Sequence, residues 1–120
     1  MTSAARRWLA LAEEGLETAA LLLDEGLFGP ASFHAQQAAE KALKAVVVDD
    51  GADPPQTHDC FYLADEADAS PEVAEAADAL TPFYFRARYP DAPGSEVSKQ
   101  EAEMTLGEAR EVVGWSTKRL

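Results

Sequence analysis

The chain has little of what most often carries chemistry or cross-links. It contains one cysteine, Cys60, and two histidines, His34 and His58. A lone cysteine closes no internal disulfide and brings no second thiolate to a zinc site, which predicts a reducing, cytoplasmic setting. There is no H-x-x-x-H pair either, so neither a metal site nor a cofactor is expected. Long apolar runs are also missing. The longest candidates, Ala19 to Leu23 and Ala45 to Val48, fall far short of the roughly 18 residues needed to cross a bilayer. Arg6-Arg7 before Trp8 to Ala12 opens like a secretion signal, but Glu13 and Glu14 end the apolar stretch too early, so no export is expected. Positive charge is scarce as well: 10 Lys and Arg stand against 22 Asp and Glu, a formal charge of -12. Such a surface repels a polyanion, which excludes generic DNA binding and confines any nucleotide contact to a local basic patch. A Gly-rich phosphate loop and a G-x-S-x-G elbow are both absent, so the common catalytic signatures are missing.

What remains is an ordinary globular composition, 47% apolar and 27% charged over 120 residues, enough for a single domain spanning 1–120. The apolar pattern is helical throughout. Trp8, Ala12, Leu16, Ala19 and Leu23 recur at spacings of four and three, which predicts one helix from about Ala4 to Glu25, stopped by Gly26. Pro30 suits a first helical turn, and the helix it opens carries Phe33, Ala39, Leu43, Val46 and Val47 as far as Gly51. After the rigid Asp53-Pro54-Pro55 stretch, Thr57 is read as the N-cap of a short helix through Phe61 and Leu63. Ser70-Pro71-Glu72 opens the next helix, with Val73, Ala77, Leu80 and Tyr84 on one stripe and a break expected at Pro82. Ser98 and Glu101 read as a capping box for a last helix carrying Ala102, Leu106, Ala109, Val113 and Leu120. The fold class is therefore all-α, a helical bundle. Leu9, Leu27, Phe28, Phe83, Phe85 and Trp115 are more large apolar side chains than one small bundle easily hides, which predicts a homodimer.

Three sets of residues could carry function. His34, Gln37, Lys41 and Lys44 are spaced three, four and three and share one helix face, bringing together an imidazole, an amide and two of the chain's four lysines. The same face also fits a solvated surface with an intrahelical Glu40–Lys44 pair worth a few tenths of a kcal/mol, which the residue types alone favour. Arg86, Arg88 and Tyr89 precede a Pro- and Gly-containing loop; arginine forks suit phosphate, and the tyrosine ring suits stacking. They equally fit pairing with nearby acids or with a helix C-terminus. His58, between Thr57 and Asp59, fits a base, a ligand or a capping-region residue.

The run Ala31-Ser32-Phe33-His34-Ala35-Gln36-Gln37-Ala38-Ala39-Glu40-Lys41-Ala42-Leu43-Lys44-Ala45 resembles the signature helix of the HEPN domain, the nucleotide-binding domain of higher eukaryotes and prokaryotes. The leading Trp8 helix, Thr57-His58-Asp59, Arg88-Tyr89-Pro90-Asp91 and the helix starting near Ser98 follow in that family's order over almost the whole chain. The resemblance implies an up-and-down bundle of four long helices with a short extra helix. It also implies dimers and a minimal nucleotidyltransferase partner in a toxin–antitoxin-like pair. Many such proteins are metal-independent ribonucleases with an arginine four to six residues before a histidine. Here no histidine follows His58, so that motif is absent. The expectation is thus a non-catalytic accessory subunit that binds a nucleotide or a partner through His34, Gln37, Lys41, Lys44, His58, Arg86, Arg88 and Tyr89. The alternatives are a ribonuclease with a non-standard Arg/His site and a purely structural dimerisation module.

Overall fold

Two of the three long helices, α1 over Ser3–Asp24 and α6 over Lys99–Arg119, begin where a side chain satisfies otherwise unpaired amides. Thr2 Oγ1 accepts from the Ala5 amide at 3.0 Å, and α1 runs over Ser3–Asp24. It ends as expected at Gly26, whose φ of +78° lies in the left-handed region open to glycine. The second helix, α2, spans Phe28–Asp49 with Pro30 in its first turn. The computed structural model describes residues 1–86, 89, 91 and 96–120. Asp59, not Thr57, caps the short α3 (Cys60–Glu66) by accepting from the Tyr62 amide. Thr57 instead accepts from the Asp59 amide at 3.1 Å and shapes the approach to the cap. Ser70 and Pro71 open α4 (Pro71–Leu80). The chain breaks at Thr81-Pro82 and resumes as the single turn α5, Phe83–Arg86. The capping box forms as read: Ser98 and Glu101 exchange hydrogen bonds at the start of α6, Lys99–Arg119.

The described residues contain helices and no strand, the all-α bundle expected. Three helices of 22, 22 and 21 residues lie alongside one another. The fourth position is filled by α4 and α5 in succession, and α3 is the short extra piece. The centre belongs to α2, which packs on α1, α3, α4, α5 and α6. Its Ala35, Ala39, Leu43, Val46 and Val47 meet Leu63, Leu80, Leu106 and Val112 in the main core. Small residues let the helices close up: a Cβ placed on Gly15 would sit 3.1 Å from Ala38 Cβ, so α1 rests directly on α2. Two of the apolar residues read as surplus, Leu9 and Phe83, are buried within the chain itself, whereas Leu27 and Phe85 are exposed. No helix of the described residues is long and apolar enough to cross a membrane.

Candidate functional site

Because α2 is central, its polar residues cannot all reach solvent. Ser32, Gln36, Glu40 and Lys44, each four residues apart and hence in one row, are buried. Burying such groups is costly unless each finds a partner, and every one does. The Thr105 hydroxyl donates to Ser32 Oγ at 3.0 Å. Gln36 Nε2 donates to the His58 carbonyl at 2.9 Å and to Cys60 Sγ at 3.4 Å. Glu40 Oε1 lies 2.8 Å from His58 Nδ1, and Glu40 Oε2 accepts from Lys44 Nζ at 3.4 Å. Lys44 Nζ also sits 5.6 Å above the Trp8 ring, a cation–π contact.

This row holds the segment before α3 at two points, the His58 main chain and the His58 ring. The ring itself stacks on Tyr84, with centroids 3.9 Å apart and planes 13° from parallel. Tyr84 continues the aromatic contact to Phe33 and Phe85, Phe33 to His34, and Phe85 to Tyr89. Six rings therefore form one connected run from α2 across α5. The His58 side chain is 48% exposed, whereas that of Glu40 is 4% exposed. The result is a buried carboxylate fixing an accessible imidazole, an arrangement that can orient a base or a hydrogen-bond acceptor. Cys60, beside it, is no nucleophile: burial above all, then the charge of Glu40, pushes its thiol far above the ordinary range.

The sequence-derived candidates separate on this geometry. Gln37 joins the site by donating to Gln36 Oε1 at 2.8 Å. His34 and Tyr89 join it through the ring contacts. Lys41 is half-buried on α2 and forms no ion pair among the described residues. Lys44 is not the surface cation its spacing suggested; its side chain is 10% exposed and its charge is met by Glu40. Arg86 is directed to α6, where it forms a two-pronged pair with Glu101 at 2.6 and 3.2 Å; it also donates to the Glu96 carbonyl ahead of that helix and lies over the Phe83 ring of its own turn. The hydrogen bonds from Arg86, then those at Ser98, hold the Glu101 carboxyl below its usual range. Arg88 lies outside the described residues. The sequence alone does not mark Gln36, Glu40, Phe33 and Tyr84 as site residues. The signal for two of them was the row of polar residues spaced by four, which runs beside the stripe that was read.

Depressions are found elsewhere on the described surface. One between α4 and α6 is lined by Glu72, Glu75, Glu108 and Glu111. There burial, then Glu111, raises the Glu108 carboxyl, as expected where negative charge is crowded. Another, on α1 alone, is lined by Ala4, Arg7, Trp8 and Leu11. No group of three or more His, Cys, Asp or Glu among the described residues is placed to hold a metal ion.

Residues 5–120 match the model of the HEPN domain family. The chain belongs to the HEPN family. This HEPN chain is similar to the crystal structure of TT1696 from Thermus thermophilus, with a TM-score of 0.90, 31% identity and coverage of 99% of this chain and 100% of that one. It is similar also to ST0689, an archaeal HEPN homologue, with a TM-score of 0.82, 25% identity and 98% of each chain covered. None of the curated proteins matches it.

Proposed function

We propose that this HEPN domain binds a small nucleotide-type phosphate ester at the His58 corner and serves as a non-catalytic accessory subunit. The observation that carries the reading is the half-exposed His58 ring, stacked on Tyr84 and held from behind by buried Glu40. A nucleotide needs an aromatic face for its base, a polar contact for its sugar and a cation for its phosphate. The ring run through Tyr84, Phe85 and Tyr89 supplies the first, His58 and Gln37 the second, and Lys41 the third. The setting proposed for this chain is that of a homodimer acting beside a minimal nucleotidyltransferase in a toxin–antitoxin-like pair. Calorimetry with a panel of nucleotides tests the reading. The native chain is expected to bind at least one of them, with Lys41→Glu expected to abolish binding and His58→Ala to weaken it, neither unfolding the domain. Unchanged binding in both variants would overturn the assignment.

A second reading has one observation in its favour. An imidazole oriented by a buried carboxylate is the arrangement of a general base, so a metal-independent ribonuclease with His58 as base is the alternative. Cleavage of a generic RNA by the purified chain, lost in His58→Ala, would establish it in place of the accessory role.

A further inference from the structure

His58 makes a more specific statement about the ligand than its location does. The 2.8 Å contact joins His58 Nδ1 to a Glu40 oxygen, and an ionised carboxylate can only accept. The ring proton is therefore on Nδ1. Glu40 Oε2 is occupied by Lys44, so the carboxylate already has a cation of its own; the neutral imidazole has one ring proton. Nε2 then carries a lone pair. It is the remaining polar atom of a half-exposed side chain and has no hydrogen-bond partner among the described residues. The Gln36 amide holds the His58 carbonyl at 2.9 Å and so fixes the main chain from which the ring projects.

A lone pair in that place is poorly suited to a phosphate oxygen, which at neutral pH offers no proton. It is suited to a hydroxyl, which donates. His58 also stands where a sugar would sit, because it meets the aromatic run at Tyr84 and meets α2 at Glu40, the residue before Lys41. Building on the nucleotide-binding reading above, we infer that His58 accepts a hydrogen bond from a ribose hydroxyl, so that the site distinguishes ribonucleotides from their deoxy counterparts. Glu40 and Gln36 act as positioning residues: Glu40 holds Nδ1 and so sets which nitrogen faces the ligand, and Gln36 fixes the main chain that carries the ring. A site built to pair with a hydroxyl discriminates against the analogue that lacks it, since the acceptor is then left unmet.

Two measurements on the full chain test this. The first is the two-bond proton–nitrogen NMR spectrum of the ¹⁵N-labelled protein at pH 8, which reports the tautomer of His58 directly. A proton on Nδ1 alone is expected; a proton on Nε2, or on both nitrogens, would overturn the inference whatever binds. The second is calorimetry with adenosine and guanosine 5′-monophosphates beside their 2′-deoxy and 3′-deoxy forms. One deoxy form is expected to bind about 3- to 10-fold more weakly, as for loss of one hydrogen bond, and His58→Ala is expected to remove that difference. Equal affinities for all three forms, with His58→Ala still weakening each, would overturn the hydroxyl assignment and leave nucleotide binding standing. No binding of any nucleotide would overturn both.

Discussion

At the scale of single residues, Glu40 bears the most weight, because one buried carboxylate serves Lys44 and His58 together. Removing it strands an ammonium group that is itself buried, and breaking such a pair costs several kcal/mol. Glu40→Ala is therefore expected to lower stability by about 3 kcal/mol in urea titrations, far more than the surface pair the sequence alone suggested. Arg86 and Glu101 make the contrasting case, being partly exposed and so weakened by solvent screening. Their effect is best seen through pH. Glu101 is held below its ordinary carboxyl range, so its contribution is fully present above that range and is lost as pH falls through the lower, folded-state value. Arg86→Gln is expected to reduce this acid-side loss by lowering stability at neutral pH by the same modest amount, with the stability below the folded-state value unchanged. Thermal unfolding of both proteins between pH 3 and 7 checks the sign.

At the scale of elements, the sequence was legible where one residue decides and less so where two elements must meet. Ser98 and Glu101 announced the start of α6, Ser70-Pro71 that of α4, and Pro82 the break after Leu80. Thr57 misled because Asp59, two residues on, also offers a capping oxygen; local chemistry alone does not choose between adjacent caps. The stripe on α2 misled for another reason. Helical spacing says which residues share a face, but the partner that covers the face comes from α1 or from the segment before α3, far away in sequence. Glycines show the same division. Gly114 in α6 has open space where a Cβ would go, whereas Gly15 meets Ala38. Gly114→Ala is expected to stabilise by up to about 1 kcal/mol through helix propensity. Gly15→Ala is expected to destabilise by about 1 kcal/mol or more, because the Ala38 methyl has no way to move aside. Paired melting curves read both.

At the scale of the whole molecule, the charge of -12 and the placement of the cations act together. Arg86 and Lys44 are both taken up by carboxylates, so the domain holds less accessible positive charge than its sequence advertises, and tight salt-dependent binding to duplex DNA is not expected. The all-α class and most helix boundaries could be read from periodicity and caps. The site could be read in part. His58 and Gln37 lie in it, but the residues that build it, Gln36, Glu40, Phe33 and Tyr84, are recognisable as such only once α2, α3 and α5 come together. Leu27 and Phe85 are exposed, and the proposed homodimer rests on covering them. Light scattering at tens of micromolar, a range in which specific dimers persist, is expected to give twice the chain mass, and a strict monomer there would contradict it.

The central claim is that the His58 corner is where this HEPN domain meets its ligand. Chemical-shift mapping of the ¹⁵N-labelled chain during titration with a bound nucleotide tests it most directly. The account predicts that the largest changes fall on Gln37, Lys41, His58 and Tyr84, with the acidic depression at Glu72, Glu75, Glu108 and Glu111 unaffected. Changes centred on that depression, or on the α1 face of Ala4, Trp8 and Leu11 with His58 unmoved, would contradict it.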